Sequence, residues 1–228
     1  MKPYYEESGT KIYNCDWREL PDDVLKSDLL LTDPPYGIKE SAGKSASRVK
    51  PFGIRGTTSR AKKLAYAKDY GDLSWDNAPP TEEDVVRMRS LAKHQIIWGG
   101  NYFVLPPSKC WLVWDKVNGE SDFADCELAW TNLEKAVRKF TYMWNGMLKE
   151  NPEYRSHPTQ KPRALFSWCL TQAPDDIKSV VDPYAGVCTT AVCCKAVGLS
   201  CVCVEREEKY AEDGANRLRQ EVFQWEEV

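Results

Sequence analysis

Residues 29–37 read Leu-Leu-Leu-Thr-Asp-Pro-Pro-Tyr-Gly: three apolar residues run into a carboxylate, two prolines and an aromatic ring. A strand that ends on Asp33 and then stiffens its backbone with Pro34 and Pro35 fixes where a carboxylate and a carbonyl point, next to the Tyr36 ring. The plain alternative is a strand followed by a Pro-Gly turn. It accounts for the backbone but not for the acid. A second such stretch, Asp-Pro-Tyr-Ala-Gly, opens at Asp182, and Glu205 follows 23 residues later. An acid at that distance from a glycine turn accepts hydrogen bonds from the ribose hydroxyls of a nucleoside cofactor in open α/β sheets. The turn lacks the full Gly-x-Gly-x-x-Gly, so the spacing alone is a weak signal.

Charge gives a third signal. Between Ile38 and Tyr70 nine bases (Lys39, Lys44, Arg48, Lys50, Arg55, Arg60, Lys62, Lys63, Lys68) face two acids (Glu40, Asp69), a net +7. The whole chain carries −3, so the remainder carries −10. A basic segment rich in Ser, Gly and Thr within an acidic chain reads as a loop that contacts phosphates and is mobile without them. A solvated loop is the plainer reading of the same charges.

The elements that would position these groups alternate between strand and helix. Residues 11–15 (Lys-Ile-Tyr-Asn-Cys) read as a strand, 17–27 as a short helical crossover, and 28–32 as a continuous apolar strand covered on both faces. Residues 80–93, with Thr81 as cap, early acids and late bases, read as a helix. Strands follow at 94–100 and 110–116. Residues 126–132 and 135–144, joined by a short polar turn, read as an antiparallel hairpin. A helix at 162–173, a strand at 179–186, a helix at 189–198, a strand at 199–207 and a helix at 208–224 complete the pattern. Such interleaving predicts a doubly wound α/β sheet, whose ligands bind at the carboxyl ends of the strands. Asp16, Asp33, Asp182 and Glu205 all fall at such ends.

Composition excludes several classes. The 228 residues suit one domain with room for an insertion, and 42% apolar with 29% charged residues is ordinary for a globular protein. No apolar run approaches about 20 residues, so a membrane span is not expected. The N-terminal residues lack the apolar core of a secretory signal, so a cytoplasmic location is expected. The nine cysteines are odd in number and without a Cys-x-x-Cys pair, and His94 and His157 lie far apart. Cys193, Cys194, Cys201 and Cys203 therefore read as reduced core thiols, and no metal site is expected.

In combination, Asp-Pro-Pro-Tyr at 33–36, His-Pro-Thr-Gln-Lys-Pro at 157–162 and Asp-Pro-Tyr-Ala-Gly followed by Thr189 and Thr190 resemble the amino-group DNA methyltransferases. The order, catalytic motif before cofactor turn, is similar to that of the permuted beta class, and Ile-Ile-Trp-Gly-Gly-Asn-Tyr-Phe at 96–103 resembles the small phage and prophage methylases. The likeness runs from about Lys11 to Leu218. It implies a Rossmann-like, S-adenosylmethionine-dependent fold with a circularly permuted, mostly parallel sheet and an antiparallel hairpin. It implies a single methyltransferase domain over 1–228, a basic DNA-contacting loop at 38–70, and a hairpin with a small target-recognition region at 117–156. The activity implied is methyl transfer to N6 of a flipped adenine in double-stranded DNA, within restriction-modification. Cytosine N4 and a catalytically decayed DNA-binding relative are the alternatives. Dimers are common among small proteins of this kind.

The resemblance also assigns roles. Asp33, Pro34, Pro35 and Tyr36 would be catalytic. Asp16, Asp33, His157, Thr159, Gln160, Lys161, Asp182, Tyr184, Gly186, Cys188, Thr189, Thr190 and Glu205 would bind the cofactor. Glu205 takes the ribose, Asp16 the adenine amino group, and Thr189, Thr190 and Lys161 the methionine carboxylate. Lys39, Lys44, Arg48, Lys50, Arg55, Arg60, Lys62, Lys63 and Arg138 would contact DNA. One residue departs from the pattern: Cys188 stands where the family turn has glycine. The expectation is that it is tolerated if its φ is negative and its side chain points away, and that otherwise it weakens or abolishes cofactor binding.

Overall fold

The computed structural model describes residues 1–37, 79–117, 124–145, 148–149 and 160–220. The chain divides into two compact units, residues 1–34 with 80–228, and residues 35–79. The larger unit is built on a nine-stranded sheet. In chain order its strands are β1 (Tyr5–Glu7), β2 (Thr10–Tyr13), β3 (Ser27–Thr32), β4 (Ala92–Trp98), β5 (Trp111–Asp115), β6 (Cys126–Thr131), β7 (Arg138–Thr141), β10 (Ser179–Asp182) and β11 (Ser200–Val204). The small pair β8 (Trp144–Asn145) and β9 (Leu148–Lys149) stands apart. The spatial order is β1-β2-β11-β10-β3-β4-β6-β5-β7, and β2, β11, β10, β3 and β4 run parallel.

The helices are α1 (Asp22–Leu25), α2 (Glu82–Ser90), α3 (Arg163–Gln172), α4 (Thr189–Ala196) and α5 (Glu208–Arg219). α2 begins with a capping box: the Thr81 hydroxyl accepts from Asp84 N, and Asp84 accepts from Thr81 N. On one face of the sheet, Leu29, Leu31, Ile96, Val180, Cys201 and Cys203 pack with residues of α3, α4 and α5. On the other, Leu30, Ile97, Val181 and Val204 pack with Trp17, Leu20, Leu25, Met88 and Leu91. The unbroken apolar run of β3 follows from this, since successive side chains face opposite, equally dry layers. All nine cysteines are free, and seven are buried. Among the described residues no helix is long and apolar enough to cross a membrane, and no group of side chains has metal-ligand geometry.

The expected hairpin is wired differently. β6 does not pair with β7. It lies antiparallel between β4 and β5, and β7 pairs in parallel with the far edge of β5. Both edges of β6 are thus taken. Beyond its end, Asn132 is pinned to β4, with Oδ1 accepting from Gln95 N at 2.8 Å and Nδ2 donating to Lys93 O at 2.8 Å. With both edges of β6 occupied, β7 pairs with the free edge of β5.

Candidate active site

The carboxyl ends of β3 and β10 are neighbours, because these strands pair in register, Val180 opposite Leu29 and Val181 opposite Leu30. At their amino ends Asp28 Oδ2 accepts from Lys178 N, Ser179 N and Ser179 Oγ at 2.8–3.0 Å. At their carboxyl ends Asp182 does the joining. Its Oδ1 accepts from the Thr32 hydroxyl at 2.7 Å and from Tyr184 N at 3.2 Å, and its Oδ2 accepts from the Thr190 hydroxyl. Asp182 is buried, and burial pushes its carboxyl up to about 8. It therefore locks the residue before Asp33 to the turn after β10 and to the start of α4. Thr32 carries no functional signal in the sequence. A threonine ending an apolar strand looks like ordinary β propensity.

The turn after β10 has one open position. Gly186 sits at φ +51, a left-handed conformation, and an added Cβ would meet nothing within 4 Å. Its N–H donates to Glu205 Oε2 at 2.8 Å, while Glu205 Oε1 accepts from Glu207 N at 2.8 Å. Burial raises the Glu205 carboxyl above its ordinary value. An open glycine cradle, an acid at the end of the next strand and the amino end of α4 make a donor and acceptor set that fits a nucleoside cofactor with a charged tail.

Cys188 differs from expectation. Its φ is +55, not negative. Its side chain is fully buried and turned from the open side of the turn toward α5, where a Cβ on Gly214 would lie 2.5 Å from Cys188 Sγ. The missing side chain at Gly214 makes room for the thiol. Thr189 and Thr190 also have other work than expected. The Thr190 hydroxyl serves Asp182, and the Thr189 hydroxyl accepts from Arg217 Nη1 at 3.2 Å. Arg217 donates as well to Val187 O, so a late-helix base that reads as dipole compensation ties α5 to the turn. What the start of α4 offers a ligand is backbone N–H.

Asp16 follows β2 and caps a 3-10 turn, Trp17–Glu19. Its Oδ1 accepts from Arg18 N at 3.0 Å and from Arg18 Nε at 2.8 Å, and the Arg18 hydrogen bond is the main cause holding its carboxyl below the usual range. Tyr184 stands edge-on to Trp17, ring centroids 6.2 Å apart. Gln160 is buried, its carbonyl accepting from Trp144 Nε1 at 3.3 Å. Lys161 is buried too, with Nζ 2.7 Å from Asp33 Oδ2 and 2.9 Å from Glu127 Oε2. Among the described residues two carboxylates hold it. Glu127 is a missed residue, and its signal was an acid within the apolar strand Cys-Glu-Leu-Ala-Trp-Thr.

Asp33 and Pro34 belong to the larger unit, and Pro35 and Tyr36 to the smaller. Arg138 is exposed on β7, at the sheet edge. Lys39, Lys44, Arg48, Lys50, Arg55, Arg60, Lys62, Lys63, His157 and Thr159 lie outside the described residues, as do 118–123, 146–147 and 150–156 of the expected recognition region.

Comparison with known proteins follows the same lines. The family model described as DNA methylase, of the N6/N4 methyltransferase group, matches residues 61–216. That range includes Glu127, Lys161, the Asp182 turn and Glu205, and begins after Asp33. The type II methyltransferase M2.LlaDCHI of Lactococcus lactis subsp. cremoris is 20% identical over 261 aligned positions, spanning 95% of this chain and 92% of that protein. The type II methyltransferase M.HinfI of Haemophilus influenzae is 35% identical over 75 residues, 32% of this chain and only 20% of its own length. Among solved structures, the cytosine-N4-specific PvuII DNA methyltransferase superposes with a TM-score of 0.55 at 14% identity, covering 98% of this chain and 91% of that one. At that identity the likeness speaks for the fold.

Proposed function

The chain belongs to the N6/N4 family of DNA methylases, and from that premise we propose that it transfers a methyl group from S-adenosylmethionine to N6 of an adenine flipped out of duplex DNA. The observation that carries this reading is the Asp182 junction. It joins the strand end before Asp33 to the glycine turn, at the carboxyl ends of two central strands, where ligands of such folds bind. When bound, the cofactor would supply an activated methyl group on a sulfonium, a good leaving group.

The chain's task is to make an amino nitrogen attack. That nitrogen is a poor nucleophile because its lone pair is delocalised into the ring. Two acceptors that hold its hydrogens favour a pyramidal nitrogen with a localised lone pair. Asp33 supplies a carboxylate, and Pro34 supplies a carbonyl whose direction the following proline restricts. Tyr36 adds a face for stacking the base. Because Asp33 is largely buried at the carboxyl end of a central strand, a base paired inside a duplex must be flipped out to reach it. The remaining acceleration comes from in-line positioning. Glu205 and the Gly186 turn would hold the nucleoside, with Asp16 at its base and the backbone of α4 at its charged end.

Aspartate before Pro-Pro-Tyr favours adenine over cytosine. The fold itself is neutral, since a cytosine-N4 enzyme shares it. The burial of Cys188 away from the open side of the turn speaks against a decayed site. Long-read modification calling on DNA from cells expressing the protein tests the reading. N6-methyladenine at one recurring sequence, absent with Asp33→Ala, is the expected result. N4-methylcytosine in its place overturns the base assignment, and unmodified DNA overturns the activity.

A further inference from the structure

The end of β3 sits on a chain of alternating charges that the Asp-Pro-Pro-Tyr motif does not itself require. Lys161 Nζ bridges Asp33 Oδ2 and Glu127 Oε2, and Glu127 Oε1 is paired with Lys116. Four separate stretches contribute: the strand ends of β3 and β5, strand β6, and the residue two before α3. Lys116 also lies over the Trp114 ring, 5.0 Å from its centroid. A buried ammonium is costly unless carboxylates on more than one side compensate it. Lys161 has two. Burial would lower its pKa, but Asp33 and Glu127 raise it above the ordinary lysine range. Burial would likewise raise Glu127, but Lys161 and Lys116 hold it at about 2.

We propose that Lys161 and Glu127 are positioning residues for methyl transfer, with Glu127 anchoring the Lys161 ammonium so that it fixes the Asp33 carboxylate as an oriented acceptor for the target amino group. The proposal rests on the reading of Asp33 given above. An ion-paired carboxylate is a weak base and a directional acceptor, which suits a step that needs the N–H oriented rather than removed first. It also separates two charges of opposite sign at the site. Losing Lys161 leaves Asp33 beside Glu127 with like charges and burial against ionisation. Losing the Glu127 charge removes one of the two described carboxylates on Lys161 and leaves Asp33 as the other.

Those consequences differ in direction, and the test uses that. Carbon-13 NMR of aspartate-labelled protein, without cofactor or DNA, follows the Asp33 carboxyl, assigned by its absence in Asp33→Asn. Lys161→Met is expected to raise the Asp33 titration by at least one pH unit, to lower kcat at least tenfold, and to move the acid limb of kcat upward by a similar amount. KM for DNA should stay within about threefold. Glu127→Gln is expected to lower kcat several-fold while leaving the Asp33 titration in place or moving it down. An unmoved Asp33 titration in Lys161→Met, or an upward shift in Glu127→Gln, overturns the proposal. Either variant is decisive alone if the other fails to fold. Full activity in Asp33→Ala would defeat the reading of the site instead, and the NMR titration would still report on the charge chain.

Discussion

The two strand ends that meet at Asp182 are held by opposite means. After β10 the turn is fixed mainly by hydrogen bonds and packing: threonine hydroxyls on the buried Asp182, Gly186 N–H on Glu205, Arg217 on Val187 O, and a thiol seated where Gly214 has no side chain. After β3 the carboxylate is fixed by charge, through Lys161, Glu127 and Lys116. A surface that must accept a cofactor needs a defined shape, and close packing supplies shape. A group that must orient a weakly polar N–H needs a field, and a partly buried ion chain supplies one.

The largest expected effect removes the charged side. Asp33→Ala should lower kcat by about 100-fold or more, the usual scale for loss of one preorganised polar group at the reacting centre. The mutant should keep its far-ultraviolet circular dichroism, because the residue ends a strand and Glu127 still neutralises Lys161. Turnover near wild type, measured by methyl incorporation into DNA, would move catalysis away from β3.

Next in size is the packed side. Gly214→Ala places a Cβ 2.5 Å from Cys188 Sγ and 2.9 Å from Cys188 Cβ. Overpacking of this kind costs about 1–3 kcal/mol. Cys188→Gly in the same chain should restore most of that loss, since it removes both clashing atoms. Chemical denaturation of the two single variants and the double variant measures the coupling. Additive losses would mean that the two residues do not compete for one space.

Asp182→Asn separates the two means within one residue. Its folded pKa is raised, so its favourable contribution is complete below the unfolded value of about 4 and is lost as pH rises to about 8. Asparagine resembles the protonated acid. The variant should match wild type near pH 5 and exceed it at pH 9 by a margin on the order of 1 kcal/mol. Thermal unfolding across that range decides it. A variant that is less stable at pH 9 would show that the ionised carboxylate is the form the fold prefers.

The smallest effect belongs to Cys188→Gly alone. Relief of a left-handed conformation is worth roughly 1 kcal/mol or more, while glycine frees the unfolded chain and empties a thiol-sized space. The net change in stability should lie within about 1 kcal/mol. Affinity for S-adenosylmethionine by calorimetry should stay within about twofold, because the thiol faces α5 and not the open side of Gly186. A gain of tenfold would mean that the side chain reaches the cofactor after all.

Much of the fold lies in local pattern. The apolar run at 28–32, the Thr81 cap, the acid-Pro turns and the threonines opening α4 each depend on near neighbours, and each reads correctly along the chain. Cys193, Cys194, Cys201 and Cys203 fill the core, as their apolar surroundings require, and Cys110, Cys169 and Cys188 join them. Three features needed the folded chain. β6 and β7 look like a hairpin because their turn is short and polar, but a strand pairs with whichever edge is free, and β4 and β5 had taken both edges of β6. Cys188 violates a local rule, and only the packing of α5 shows that Gly214 makes room for its side chain. Lys161 reads as a ligand for a cofactor because nothing nearby in the chain opposes it. Its partners are 34 and 128 residues away. Local sequence sets backbone preference and burial, whereas pairing between distant edges and charges depends on distances that exist only once the sheet has closed.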